Sequence, residues 1–559
     1  MYILLADSEG GKVTLTPLDA RGEAQAETNL VDRTNLPEAV RDRESRNSPR
    51  WVWDRAQNWY PALLEAKVSV ERCHDLALCR PILAGSELTL ETDYPRDFVP
   101  IEEPLDTAPR GFFNPNQQSL FDDLDQASRK RGPESTELIA ELRAQLEAVS
   151  QSKNPQRLQL LLAAESAGAL IAAEMQHSGV PWRTDLHEKL LEETLGPRPD
   201  SSALGIQRPA KMEALLAELR EKLGGNPFNP DSPQELMRAL HRAGIEVKTT
   251  RSWELQQSKH PAIAPLLAYK KLSRLFSANG WSWLEQWVKD GRFRPEYVVG
   301  GVVSGRWASR GGGALQIPKQ VRGAVHADPG YKLIVADAAQ LEPRVLTALA
   351  QDSKMAEAAQ DHDLYAGIAA QGFGGDRAKA KIALLGAMYG ATTGESGRLM
   401  PQLARTYPQA VGLVEAAARA GERGEIVTTK LGRSCPPPSE RWLQAQRSTT
   451  EQEQRWADNL ARSRGRFTRN FVVQGTAAEW ASCWLAELRR GLRARPGLGA
   501  ELVFFLHDEV MVHSPESSVE QVNELIEGAA NSAAELIFGK VPINFPVSIA
   551  VVDHYDQAK

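Results

Sequence analysis

The chain has 559 residues, too many for one hydrophobic core and enough for about three to four domains. With 42% hydrophobic and 25% charged residues it has an ordinary globular composition, and no apolar run is expected to reach the ~18–20 residues that a membrane span needs. A formal net charge of −6 excludes a globally basic nucleic-acid binder, and four scattered cysteines argue against a disulfide framework or a zinc site.

The start, MYILLADSEGG, has no basic n-region and no cleavage site, so a reducing cytoplasm is the expected compartment. Residues 1 to about 93 read as a small α/β unit: the strand YILLA, a hairpin, then WVWDRAQNWYPALLEAKV and CHDLALCRPIL. Asp7 and Glu9 follow the first strand as Asp-x-Glu. Six prolines between Pro95 and Pro133, with no helical or strand period, mark an exposed linker. From Ser135 the pattern is helical to about Trp287, and FNPDSPQELMRAL carries a helix start at Asp-Ser-Pro. A mixed region follows: the Gly-rich VVGGVVSGRWASRGGG, the strand KLIVAD, and helices through about 480. The stretch ARSRGRFTRN, 461–470, has four arginines and no acid, a local basic patch on an acidic chain. A hairpin at His507-Asp508, the helix VEQVNELIEGAANSAAELI and the strand FPVSIAVVD close the sequence.

Two of these strands carry acids where strands normally exclude them. VFFLHDEVMVH holds Asp508 and Glu509 inside an apolar run, and KLIVADAAQLEPRVL ends an apolar strand in Asp337. A buried unpaired carboxylate is costly. Two acids brought together from separate strands suit two divalent cations about 3.5–4 Å apart, an arrangement for phosphoryl transfer. Between them lies DRAKAKIALLGAMYG, where Arg377, Lys381, Leu385 and Tyr389 recur every four residues as one stripe on a helix. Cations first and an aromatic last make a graded surface for triphosphate, sugar and base. Gly386 inside that helix costs about 1 kcal/mol against alanine, which a base approaching the backbone would explain.

Taken together, these residues resemble the family A DNA polymerases, the family of bacterial DNA polymerase I. Asp337-Ala-Ala-Gln340-Leu-Glu342-Pro-Arg344 resembles motif A, Arg377-x3-Lys381-x7-Tyr389-Gly390 motif B, and His507-Asp508-Glu509 motif C. SGRWAS with Arg306, the LQIP that follows, RFTRNFVVQGTAAEW, FNPDSPQEL and YKKLSRL match further segments, in order, over about 155–559. The resemblance implies a mixed α+β right hand of palm, fingers and thumb, preceded by a small ribonuclease-H-like domain of the 3′–5′ exonuclease type. The expected layout is an exonuclease-like domain at 1–94, a linker at 95–134 and a polymerase domain at 135–559. Within the last, the thumb falls at about 210–290, the palm at about 291–355 and 471–559, and the fingers at about 356–470.

By the same resemblance, Asp337 and Asp508 ligate two Mg²⁺ ions (Mn²⁺ able to substitute), with Glu509 beside them as a third catalytic acid. Gln340, Glu342, Arg377, Lys381, Leu385 and Tyr389 bind the dNTP, with Glu342 and Tyr389 as a gate against a 2′-hydroxyl. Arg306, Arg466, Asn470, Gln474 and His507 contact primer–template DNA. A monomeric, nucleoid-associated enzyme of the bacterial cytoplasm is implied, with no membrane partner; a DNA-binding scaffold or a surviving exonuclease are the alternatives. Several positions depart from the family pattern: Ala338-Ala339 in motif A, Leu385 in place of an aromatic, and Tyr365 in place of a phosphate-contacting histidine. In the first domain Pro61 stands where a metal-binding Asp is expected and the third exonuclease motif is missing, so proofreading is expected to be lost. Gln117-Gln-Ser-Leu120-Phe121, in the linker, resembles the short peptide with which bacterial polymerases bind the sliding clamp.

Overall fold

The computed structural model describes residues 1–96, 133–199, 207–310, 313, 317–360, 362–391 and 393–558; the clamp-like segment Gln117–Phe121 lies outside them. The chain packs as two compact units. One comprises Met1–Ser178, Glu296–Arg310 and Ile334–Val551, and the other Gly179–Pro295, Gly311–Leu333 and Val552–Lys559.

The first unit opens with β1 (Tyr2–Asp7), β2 (Lys12–Leu18), β3 (Asn29–Asp32), β4 (Arg50–Trp53) and β5 (Arg72–Asp75). They form one sheet in the order β3-β2-β1-β4-β5, with β1, β4 and β5 parallel and the hairpin strands antiparallel. Helices α1 (Leu36–Asn47) and α2 (Ala56–Glu65) connect β3 to β4 and β4 to β5, and α3 (Leu76–Gly85) follows β5. A parallel sheet needs cover on both faces, and residues 1–94 do not supply all of it. On one face Leu138 and Leu142 of α4 (Ser135–Gln151) pack with Leu4, Ala6 and Val52. On the other, Ala169, Leu170 and Ala173 of α5 (Pro155–Ser178) join the cluster of Ile3, Leu5, Trp51 and Trp53. Fully burying a leucine such as Leu142 contributes about 1.5–3 kcal/mol, so the core of this sheet extends past the expected border at 94. Helix α5 also corrects the reading that no apolar run is long enough for a membrane: its 24 residues pass on length and composition. Of its most apolar window, 72% is buried inside the protein, as a core helix requires.

The second unit holds β6 (Val180–Pro181), α6 (Thr184–Leu195), α7 (Ala210–Lys222), α8 (Pro233–Arg242), α9 (Ile263–Asn279), α10 (Trp281–Trp287), β7 (Val288–Lys289) and β8 (Arg292–Phe293). Helix α8 begins as its sequence predicts, with Ser232 accepting from the Glu235 N–H. Trp182, Trp283 and Phe293 pack with ring centroids 5.0–5.5 Å apart.

The first unit resumes with β9 (Glu296–Val298), β10 (Ala308–Arg310) and β11 (Tyr331–Ala338), whose last residues belong to it. Helices α11 (Leu341–Ala350), α12 (Ser353–Ala358), α13 (Leu364–Gly372), α14 (Arg377–Tyr389), α15 (Gly394–Thr406), α16 (Pro408–Glu422) and α17 (Glu440–Ala445) follow. Helix α18 runs unbroken from Glu451 to Arg493, so the expected border between fingers and palm at 470 falls inside one helix. Thr450 and Glu453 close its start as a capping box. Strands β12 (Glu501–Leu506) and β13 (Glu509–Pro515), helix α19 (Val519–Phe538) and strand β14 (Val547–Val552) complete a four-stranded sheet in the order β12-β13-β11-β14.

Near its C-terminal end α18 is bolted to the N-terminal sheet. Arg489 donates to Glu174 of α5 at 2.7 and 2.8 Å and to the carbonyls of Val70 and Glu71, and Tyr60 donates to the same carboxylate. Every group in this buried cluster has a partner, the condition under which a buried charge is tolerated.

Candidate active site

Strand β11 carries Asp337 to its end, and the hairpin between β12 and β13 carries Asp508. The two segments are joined by backbone: the Ala338 N–H donates to the Asp508 carbonyl at 2.8 Å. His507 takes φ 57°, the left-handed region that makes so tight a turn possible. Burial and the neighbouring Arg306 push the His507 imidazole down to about 4, leaving it neutral near pH 7. Glu509 begins β13 and is 1% exposed.

After Asp337 the chain turns through Gln340, φ 56°, into α11. The side chain of Gln340 is used locally: its amide donates to Asp363 at 2.9 Å and its carbonyl accepts from the Leu364 N–H at 2.8 Å. Asp363 caps α13 and takes the Arg377 guanidinium at 2.6 Å. Burial would raise the Asp363 carboxyl, but Arg377 and Gln340 hold it below its ordinary value. The wholly buried Arg344 fixes the same turn from behind, donating to the carbonyls of Ala339, Ala359, His362 and Asn544.

Helix α14 carries the expected stripe. Arg377 and Lys381 are exposed, and both lie over the ring of Tyr365, at 5.5 and 5.9 Å from its centroid. Burial, then Glu342, push that phenol up to about 12. At the far end of the stripe the Tyr389 hydroxyl donates to Glu342 at 2.7 Å, and burial followed by Glu342 raises its pKa. Arg306 grips the other Glu342 oxygen, and both side chains of that ion pair are less than one-fifth exposed. Arg306, expected to contact DNA, is thus engaged with the carboxylate of Glu342. Gly386 also has a different reason from the one its sequence suggested. A Cβ there would lie 2.7 Å from Cβ of Ser396, so the glycine lets α14 and α15 pack closely.

A cavity of about 290 Å³ gathers many of these groups. Arg306, Gln340, Glu342, Leu385, Tyr389, His507 and Asp508 line it, together with Tyr365, Trp307, Phe505 and the α18 residues Ala477, Ala478, Ala481 and Ser482. Asp337, Glu509, Arg377, Lys381, Arg466, Asn470 and Gln474 are not part of its wall. Of the four arginines in 461–470, only Arg462 and Arg466 are exposed. Arg464 donates to the Pro436 carbonyl, and Arg469 donates to the Ala387 carbonyl and pairs with Glu415, so half of the basic patch is structural. Sequence reasoning passed over Arg469, whose signal was only its place in that run.

Among the described residues no group of three His, Cys, Asp or Glu side chains forms a ready metal cage. Two hard carboxylates at a strand end still fit Mg²⁺, which is usually held by one or two carboxylates and completed by substrate phosphates and water.

The N-terminal sheet brings acids to one edge as well. Asp7 ends β1 but pairs with Arg33 at 2.8 Å. Asp54, just past β4, accepts from Asn58 and from the Trp59 indole. Asp75, ending β5 and 2% exposed, caps α3 through the Leu78 N–H and accepts from the Ala56 N–H; burial pushes its carboxyl up to about 6. Pro61 sits within α2, between the buried Tyr60 and Leu63.

A four-stranded sheet carrying Asp337 and Asp508 at neighbouring strand ends, beside a cavity that the long helix and the stripe helix also line, has the form of a right-hand nucleic-acid polymerase. The chain belongs to DNA polymerase family A, whose model matches residues 202–556. Among curated proteins it is similar to DNA polymerase I of Chloroflexus aurantiacus, 25% identical over 397 residues, covering 63% of this chain and 40% of that one. It is also similar to the thermostable DNA polymerase I of Thermus filiformis, 25% identical over 568 residues, covering 91% of this chain and 61% of that one. The chain thus spans about half the length of these relatives. Among solved structures, the POL domain of Pol1 from M. smegmatis, in complex with DNA primer-template and dNTP, matches with a TM-score of 0.68 at 17% identity, over 100% of this chain and 95% of that one.

Proposed function

We propose that the protein is a template-directed DNA polymerase that extends a primer 3′-hydroxyl with dNTPs and does not proofread. The observation that carries this reading is the main-chain junction of β11, just after Asp337, with the β12–β13 hairpin at Asp508, beside a cavity that Asp508, Glu342 and Tyr389 line. In the reaction the 3′-oxygen bonds to the dNTP α-phosphorus and pyrophosphate leaves. Two divalent cations held by Asp337 and Asp508, Mg²⁺ or Mn²⁺, would supply hydroxyl activation and charge neutralisation.

The remaining work falls to side chains. Arg377 and Lys381 hold the triphosphate through charge-assisted hydrogen bonds, with the Tyr365 ring beneath both. Glu342 is held by Tyr389 and Arg306, and this fixed carboxylate–phenol pair is the wall that a ribose 2′-hydroxyl would meet and a deoxyribose would not. Arg466, Asn470 and Gln474 touch primer–template from α18, largely through sequence-blind contacts. Such an enzyme serves replication or repair, and the Gln117–Phe121 segment would tether it to a clamp and raise processivity by effective concentration. The test is primer extension on two templates of different sequence: products should follow each template, and Asp337→Asn and Asp508→Asn should each abolish them. Robust extension by either variant would overturn the reading.

A further inference from the structure

On α18, Trp456 and Phe467 are eleven residues apart, close to three helical turns, and Phe467 and Gln474 are seven apart, close to two. All three therefore share one face. Trp456 and Phe467 are each 37% exposed, among the few large apolar side chains in the described residues that are not covered. Both rings are braced. The Arg441 guanidinium lies 5.7 Å from the Trp456 ring centroid, and Phe467 leans on Phe471 at 5.8 Å.

The rest of the face is polar and uncharged. Between Trp456 and Gln474 it carries Asn459, Ser463 and Asn470 and no acid, since Asp458 projects to the opposite side. One flank is buried against protein through Leu460, Arg464 and Thr468; the other is open and carries the exposed Arg462 and Arg466. An aromatic platform with a cationic edge is the chemistry that holds single strands, with bases stacked on the rings and phosphates against the arginines. A duplex would not use it, because its bases are already stacked.

Resting on the polymerase reading, in which Asn470 and Gln474 touch the primer–template, we infer that this outer face of α18 binds the single-stranded template ahead of the primer terminus. Phe467 and Trp456 are the stacking platforms, about 10 and 27 Å along the helix from Gln474, a track for about four nucleotides or more.

The experiment is binding of the full chain, without metal or dNTP, to fluorescent primer–templates whose template overhang is about one or about ten nucleotides. The longer overhang should bind about tenfold more tightly. Phe467→Ala with Trp456→Ala should erase most of that gain while leaving affinity for the short overhang and the melting temperature unchanged, and Phe467→Tyr should retain it. A gain that persists in the double variant, an equal loss on both substrates, or no gain in the parent would each overturn the proposal. A chain that binds the long overhang as described but never extends it would overturn the polymerase reading and leave this surface standing. A chain that extends primers with overhang-independent affinity would do the reverse.

Discussion

The two sheets of the first unit place acids in the same kind of position and set them in different surroundings. In the N-terminal sheet the parallel strands β1, β4 and β5 deliver Asp7, Asp54 and Asp75 to one edge, and each is taken up locally, by an arginine, by an indole and an amide, or by helix-cap N–H groups. In the C-terminal sheet Asp508 is fastened through its main-chain carbonyl, and it borders a cavity that Leu385 and Tyr389 of the stripe helix also line. Strand ends collect acids because the chain leaves the core there. The local donors around Asp7, Asp54 and Asp75 make those acids part of the scaffold.

Exchanging acids between these two roles should break the comparison cleanly. The largest effect is expected at Asp337 and Asp508. Either Asn variant should lose at least about 10³-fold in extension rate, about 4 kcal/mol of transition-state stabilisation, with primer–template affinity and melting temperature nearly unchanged. Stopped extension accompanied by a collapsed melting curve would mean that these acids are scaffold too.

The C-terminal region also contains an acid of the scaffold kind. Glu479, in α18, is buried, accepts from Thr429 and the Leu431 N–H, and is pushed by burial from 4.5 up to about 7. Because the folded state holds this proton more tightly than the unfolded one, its stabilising share is complete below about 4.5 and is lost as pH rises to about 7. Urea melts should therefore show stability falling across that window by on the order of 2–3 kcal/mol from this group. Glu479→Gln should flatten the slope, and an unchanged slope would place the proton elsewhere.

Asp75→Ala should come next, at about 2 kcal/mol of stability, from a lost helix cap and an orphaned buried N–H at Ala56. Extension per folded molecule should not change, as thermal melts and active-site titration would report together. Smallest is the sugar gate. Glu342→Ala should raise ribonucleotide relative to deoxyribonucleotide incorporation about tenfold, about 1.4 kcal/mol, and an unchanged ratio would assign the sorting to another residue.

Much of the site is legible in sequence because its logic is local. A four-residue spacing places Arg377, Lys381, Leu385 and Tyr389 on one helix, and an apolar strand ending in Asp337 needs no partner to be recognised. What the sequence hides is long-range. Arg306 lies 36 residues before Glu342, and nothing in its surroundings says that it pairs with that carboxylate. Gly386 answers to Ser396 on the next helix, and Arg464 and Arg469 are pulled out of a basic run by carbonyls far along the chain. The border at 94 misses α4 and α5 for the same reason: a sheet's need for cover is visible in sequence, but the helix that meets it is not.

The most direct measurement is a single assay with Mg²⁺, dNTPs and a labelled primer, run with both matched and mispaired 3′ ends, that follows lengthening and shortening together. The parent protein should lengthen matched primers and shorten neither kind, and Asp508→Asn should do nothing to either. Shortening of mispaired ends that survives Asp508→Asn and disappears in Asp7→Ala would show that the N-terminal acids are catalytic and contradict the account.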